Sequence, residues 1–142
     1  MLVLDANILI RAVLGSRVVS LLRHYSPRVE FLAPDTAFQE AREHLPAILA
    51  ARGVAVDPAM AMLELVSCLV KAVDPETYSL CSTSARERIA QRDEDDWPVV
   101  AVALTFDCPI WTEDTDFFGC GVATWTTDRV ELFLAQAAEW KQ

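Results

Sequence analysis

Met1-Leu2-Val3-Leu4-Asp5-Ala6-Asn7-Ile8-Leu9-Ile10 decides the fold class of this chain. An apolar run ends in an aspartate, a small residue and an asparagine, and a second apolar run follows at once. Leu2 to Leu4 is long enough for a buried strand, and Asn7 followed by Ile-Leu-Ile opens a helix. Asp5 then stands at the carboxyl end of a first strand, where ligands gather in open α/β sheets. A carboxylate held there is costly unless something positive shares the site. What faces Asp5 is therefore the question for the rest of the chain.

Outward from this stretch, strands and helices alternate. Helices are predicted over about 7–14, closed by Gly15, and over 17–25. Val29 to Ala33 reads as a second strand closed by Pro34. Asp35 or Thr36 caps a helix carrying Phe38, Glu40, Ala41 and Leu45, which Pro46 ends or kinks before a further stretch stopped by Gly53. Asp57-Pro58 is an N-cap with proline at the first helical position, opening a helix to Leu69 that buries Met62, Leu65, Val66 and Leu69. Val70 to Val73 is a short strand. Helical stretches follow to about Leu80 and Ala90. A buried helix starts near Asp96, and Cys108 to Trp111 is a strand. Gly119 and Gly121 mark a loop, Val122 to Trp125 is a last strand, and Thr127 caps a final amphipathic helix. This order predicts one α/β domain over residues 1–142, with a central, mostly parallel sheet of about four to five strands covered by helices on both faces.

The chain has 142 residues, of which 53% are hydrophobic, enough for the core of one ordinary domain. The net charge of −9 argues against a surface that grips nucleic acid everywhere. The charge is uneven, however. Residues 1–42 carry five arginines against four acids, while residues 93–118 carry eight acids and no lysine or arginine. Such an acidic segment needs solvent, arginines from elsewhere or a metal ion. Cys68, Cys81, Cys108 and Cys120 have no metal-ligand spacing with His24 or His44 and are expected to be buried free thiols. No leader peptide and no membrane span of about 20 apolar residues is expected, which points to a reducing, cytoplasmic compartment.

Asp5, Asp96, Asp114 and Asp116 all fall at a strand's carboxyl end or the start of the next helix, and Glu40 lies about a turn inside one. In a parallel sheet these positions share an edge. Clustered carboxylates either stay partly protonated or are neutralised by a divalent cation. Oxygen ligands without His or Cys suit Mg²⁺ or Mn²⁺, and an ion so held promotes phosphodiester hydrolysis. Taken singly, each acid reads equally as a helix cap, a solvated turn or a surface charge; their joint order favours a site.

With these blocks in place, the sequence resembles the PIN-domain nucleases, and within them the VapC-type toxins of toxin–antitoxin pairs. The resemblance rests on Leu4-Asp5-Ala6-Asn7-Ile8-Leu9, on Ala33-Pro34 with Phe38-Gln39-Glu40, on Asp95 to Leu104, and on Ile110 to Phe117. It implies that Asp5, Glu40, Asp96 and Asp114 are the catalytic acids, that Asp5, Asp96, Asp114 and Asp116 hold Mg²⁺ or Mn²⁺, and that RNA is the substrate. Asp93 and Asp95 compete with Asp96 for the third position; Asp96 is preferred because it stands closest to the buried helix. Asn7 is expected to orient Asp5, and Thr112 to do the same near Asp114. Arg11, Arg42, Arg86, Arg88 and Arg92 are candidates to hold RNA phosphates, although each alone reads as an ordinary surface arginine. The resemblance further implies a small antitoxin partner and a homodimer, with the first helices as a possible interface. The competing expectation is a binding module for RNA or protein with little or no nuclease activity. Asn7 stands where a haloacid-dehalogenase-type phosphatase needs a second Asp, and Lys71 and Lys141 do not suit a response-regulator receiver.

Overall fold

The computed structural model describes residues 1–140, so Lys141 lies outside the described residues. Five strands, β1 (Leu2–Leu4), β2 (Phe31–Pro34), β3 (Val70–Val73), β4 (Ile110–Trp111) and β5 (Thr124–Trp125), form one sheet in the order β3-β2-β1-β4-β5. Every neighbouring pair is parallel, with Leu2 opposite Phe31 and Val3 opposite Ile110. The helices are α1 (Ala6–Leu14), α2 (Arg17–Tyr25), α3 (Asp35–Arg52), α4 (Val56–Leu69), α5 (Pro75–Tyr78), α6 (Ser82–Ile89), α7 (Trp97–Phe106) and α8 (Val130–Glu139).

The period-two geometry of the strands divides the core. Leu2, Leu4, Phe31, Ala33 and Trp111 pack with α1, α2, α3, α4 and α8. Val3, Leu32, Val73 and Ile110 point the other way, onto Tyr78, Ala85, Ile89 and the apolar run of α7. Strand residues buried on both faces explain why β1 reads as a continuous apolar run rather than an alternating one. The chain order reverses between β1 and β4, which makes the crevice beyond their carboxyl ends the switch point of the sheet. Asp5 follows β1 directly and Thr112 follows β4 directly.

Several local expectations are corrected. α3 runs unbroken through Pro46, because that residue faces solvent and the carbonyl freed by its missing N–H can bond to water. α4 starts at Val56 behind Ala55, so Asp57 sits in the first turn and is not the cap. Its inward face is Ala59, Leu63 and Val66, while Leu65 is exposed. Thr127 does not cap α8: its hydroxyl accepts a hydrogen bond from Trp111 Nε1 at 3.0 Å, and the helix begins only at Val130. Of the cysteines, all free, only Cys120 is buried and Cys68 is exposed. The apolar residues of α1 and α2 fill the chain's own core, which leaves little of them for a partner. No helix among the described residues is long and apolar enough to cross a membrane.

Candidate active site

Asp5 has extended backbone and acts as the N-cap of α1, its Oδ1 accepting from the Ile8 amide at 3.0 Å. The Thr112 hydroxyl donates to its Oδ2. Both carboxylate oxygens are thus held, and the side chain is almost fully buried. Asn7 was expected to orient Asp5; it is exposed, and no hydrogen bond joins the two among the described residues. The structure starts the helix at Ala6, one residue earlier than the sequence predicts, with Asp5 itself as the cap.

Thr112 links two acids. Besides donating to Asp5, its Oγ1 accepts from the Asp114 amide at 2.9 Å. Asp114 Oδ1 in turn accepts from the Asp116 amide at 2.9 Å, capping the short turn Thr115–Phe117. On the other side of the crevice, Asp93 caps the turn Glu94–Asp96, and Asp96 leads into α7. Asp93, Asp96 and Asp116 bring one carboxylate oxygen each within 4.8 Å of one another. The competition for the third acidic position is therefore not settled in favour of one residue: Asp93 and Asp96 both reach Asp116, while Asp95 lies outside this cluster.

The electrostatics tie the remaining acids to this group. Burial pushes the Asp96 carboxyl up to about 7, and the negative charges of Asp93, Asp114, Asp5 and Glu40 add to it. Burial likewise raises Asp5 to about 6; the bonds from Thr112 and Ile8 pull back, and Asp114 and Glu40 push up again. Among the described residues Asp96 Oδ2 is buried without any hydrogen-bond partner, a costly state for a carboxylate oxygen. An orphaned hard oxygen with the carboxylates of Asp93 and Asp116 close by fits a divalent cation of the Mg²⁺ or Mn²⁺ kind. No imidazole or thiolate joins the cluster among the described residues.

The five arginines singled out by sequence divide. Arg42 pairs with Glu64 at 3.5 Å and lies over the Phe38 ring. Arg86 pairs with Glu94 at 3.5 Å and stacks on Trp97 with its guanidinium carbon 4.3 Å from the ring centroid. Arg88 donates to the Cys120 carbonyl at 3.0 Å, bracing the loop that carries Gly121. Arg92 shares a small pocket with Asp116 and Phe118. Arg11 lines a separate groove together with Arg17, Arg52 and Thr127.

A family model described as PIN domain matches residues 3–135. The chain belongs to the PIN-domain family. PIN domains are in general nucleases that bind divalent metals through acidic residues. A solved structure of FitAB bound to an IR36 DNA fragment shares the fold with a TM-score of 0.55 at 20% identity, over 89% of this chain and 95% of that one. No curated protein matches the chain.

The buried carboxylates of the crevice also bear on stability. A carboxyl whose pKa is higher in the folded than in the unfolded chain stabilises the fold at low pH and loses that contribution as pH rises through its folded value. For Asp5 and Asp96 the loss sets in above 3.8, the ordinary value of the free carboxyl, and is complete by about a unit above 7. The metal-free protein is expected to melt several degrees lower at about pH 8 than at about pH 5. Mn²⁺ should restore the difference at the higher pH and add little at the lower one. Differential scanning fluorimetry across both pH values checks this. A melting temperature indifferent to Mn²⁺ at pH 8 would count against a metal at these acids.

Proposed function

We propose that this PIN domain is a Mg²⁺- or Mn²⁺-dependent endoribonuclease, acting as the toxin of a toxin–antitoxin pair in the cytoplasm. The observation that carries the reading is the buried, unpartnered Asp96 Oδ2 beside the other acids of the crevice. Asp5, Asp96, Asp114 and Asp116 would hold the ion, with Asp93 as a further ligand beside Asp96 and Asp116. A divalent ion bound there supplies activation of water and neutralisation of charge on the phosphoryl group. Asp5 contributes a carboxylate whose direction is fixed by the Thr112 hydroxyl and the Ile8 amide, so no reorganisation is needed at that ligand. Glu40, exposed and near enough for its charge to act on Asp5 and Asp96, would ligate the ion or orient the attacking water. The VapC-like motifs support a small antitoxin as partner and a homodimer as the assembly.

Cleavage of an RNA oligonucleotide by the purified protein, with Mn²⁺ or Mg²⁺ against EDTA, tests the activity. No cleavage of any RNA together with no Asp5-dependent Mn²⁺ binding would favour the binding-module reading instead. Thr112→Val is a sharper probe of how the site is built. It removes both the donor to Asp5 and the acceptor for the Asp114 amide while keeping the side-chain shape. Cleavage should fall about 10–100-fold with a parallel loss of Mn²⁺ affinity, as for other partners that orient metal ligands. Calorimetric titration reads the affinity, and an unchanged circular dichroism spectrum and melting transition separate this result from a simple loss of fold.

A further inference from the structure

A groove of about 490 Å³ is walled by Arg11, Arg17 and Arg52, with Gly15 and Thr127 among its other lining residues. Its three guanidinium groups come from α1, α2 and the last turn of α3, so only the tertiary fold collects them. Arg17 is bonded to Glu131 at 2.9 Å. Arg11 and Arg52 make no ion pair among the described residues. The nearby carboxylates are already engaged, Glu131 with Arg17 and Tyr25, and Glu113 with the Thr127 amide at 2.6 Å. In a chain of net charge −9, Arg11 and Arg52 are thus two groove-lining guanidinium groups with no carboxylate paired to them among the described residues.

The groove adjoins the acidic crevice through two connections. Arg11 stands six residues after Asp5 on α1, about 9 Å along the helix axis. Thr127 bonds both to Glu113, between Thr112 and Asp114, and to Trp111 at the end of β4. A polyanion entering a crevice lined with carboxylates is repelled unless cations hold it close by. Arginine suits that task, because its planar fork of donors matches phosphate oxygens two at a time. We infer that the Arg11/Arg17/Arg52 groove binds the phosphodiester backbone of a single-stranded RNA to one side of the acidic crevice. The identity of the polyanion rests on the ribonuclease reading above.

Fluorescence anisotropy with a labelled, unstructured RNA oligonucleotide in EDTA measures binding apart from cleavage. The doubly substituted R11Q/R52Q keeps side-chain length and helix propensity while removing both free charges. Its Kd should weaken about tenfold or more at 100 mM KCl, and the slope of log Kd against log[KCl] should shrink by about 1.4, or ~0.7 for each lost contact to a single strand. Arg23→Gln, an exposed arginine of α2 outside the groove, should change Kd less than twofold. Unaltered Kd and slope in R11Q/R52Q, an equal loss in Arg23→Gln, or no RNA binding by the unsubstituted protein at 50 mM KCl would each overturn the inference. So would polyglutamate binding that depends on Arg11 and Arg52 where RNA binding does not. Arginine-dependent RNA binding without any Mn²⁺-dependent cleavage would remove the ribonuclease reading and leave the groove. Cleavage with unaltered binding by R11Q/R52Q would do the reverse.

Discussion

Asp5→Asn is expected to lower Mn²⁺-dependent RNA cleavage by at least about a hundredfold, since removing a ligand should cost no less than removing the partner that orients it. The same substitution should not unfold the protein. Asn preserves the shape of the side chain, and its Oδ1 can still accept from the Ile8 amide as the cap of α1. It also removes a charge that the fold holds at a disadvantage. With its carboxyl at about 6 in place of 3.8, an ionised Asp5 weakens the metal-free fold at pH 8 by about 3 kcal/mol. Some of that is returned by Asn, less the cost of the altered bond to Thr112. The expected result is thus a metal-free Asp5→Asn protein at least as stable as the parent near pH 8, with a flatter pH profile, and inactive. Thermal melts and cleavage rates on one preparation read both halves. Undiminished cleavage would remove Asp5 from the site, and a large loss of stability at pH 8 would mean that its carboxylate is a structural cap alone.

Trp111→Ala should destabilise the fold by about 3–5 kcal/mol, the usual range for deleting a large buried aromatic side chain. Trp111 is fully buried on β4, its ring centroid 6.4 Å from that of Phe31, and its Nε1 donates to Thr127. The deletion opens a cavity between the sheet and its helices and leaves the buried Thr127 hydroxyl without its donor. β4 is only two residues long, and Thr112 follows directly. Loss of the indole therefore also loosens the strand end that aims Thr112 at Asp5. Urea unfolding followed by circular dichroism should show a lower midpoint, with cleavage reduced even where the fold persists. Trp140→Ala is the matched comparison. That side chain is 83% exposed, so its removal should change stability by no more than about 0.5 kcal/mol. Similar losses from both tryptophans would contradict the packing described above.

The sequence determined what depends on neighbours along the chain. Leu2 to Ile10 specified a buried strand running into a helix, because side-chain periodicity is a local property, and that placed Asp5 at the strand end. The later strands separated by helices then implied a parallel sheet with its ends on one edge, where Asp5, Thr112 and Asp114 now meet. What depends on who packs against whom was not legible. Nearness to the buried helix favours Asp96 over Asp93 and Asp95 in a run of four acids, but only the folded turn 94–96 shows that Asp93 reaches Asp116 as well. Asn7 looked like the residue that steadies Asp5, yet the bond comes from Thr112, 107 positions away. Pro46 looked like a break, but solvent on its side of α3 lets the helix continue. Arg11, Arg17 and Arg52 are scattered over three helices and carry no motif; only their packing makes a groove. The sequence fixes which groups exist and the local geometry of each, whereas burial and the field of distant charges, which set the protonation of Asp5 and Asp96 and orphan one of the latter's oxygens, arise only when the layers close.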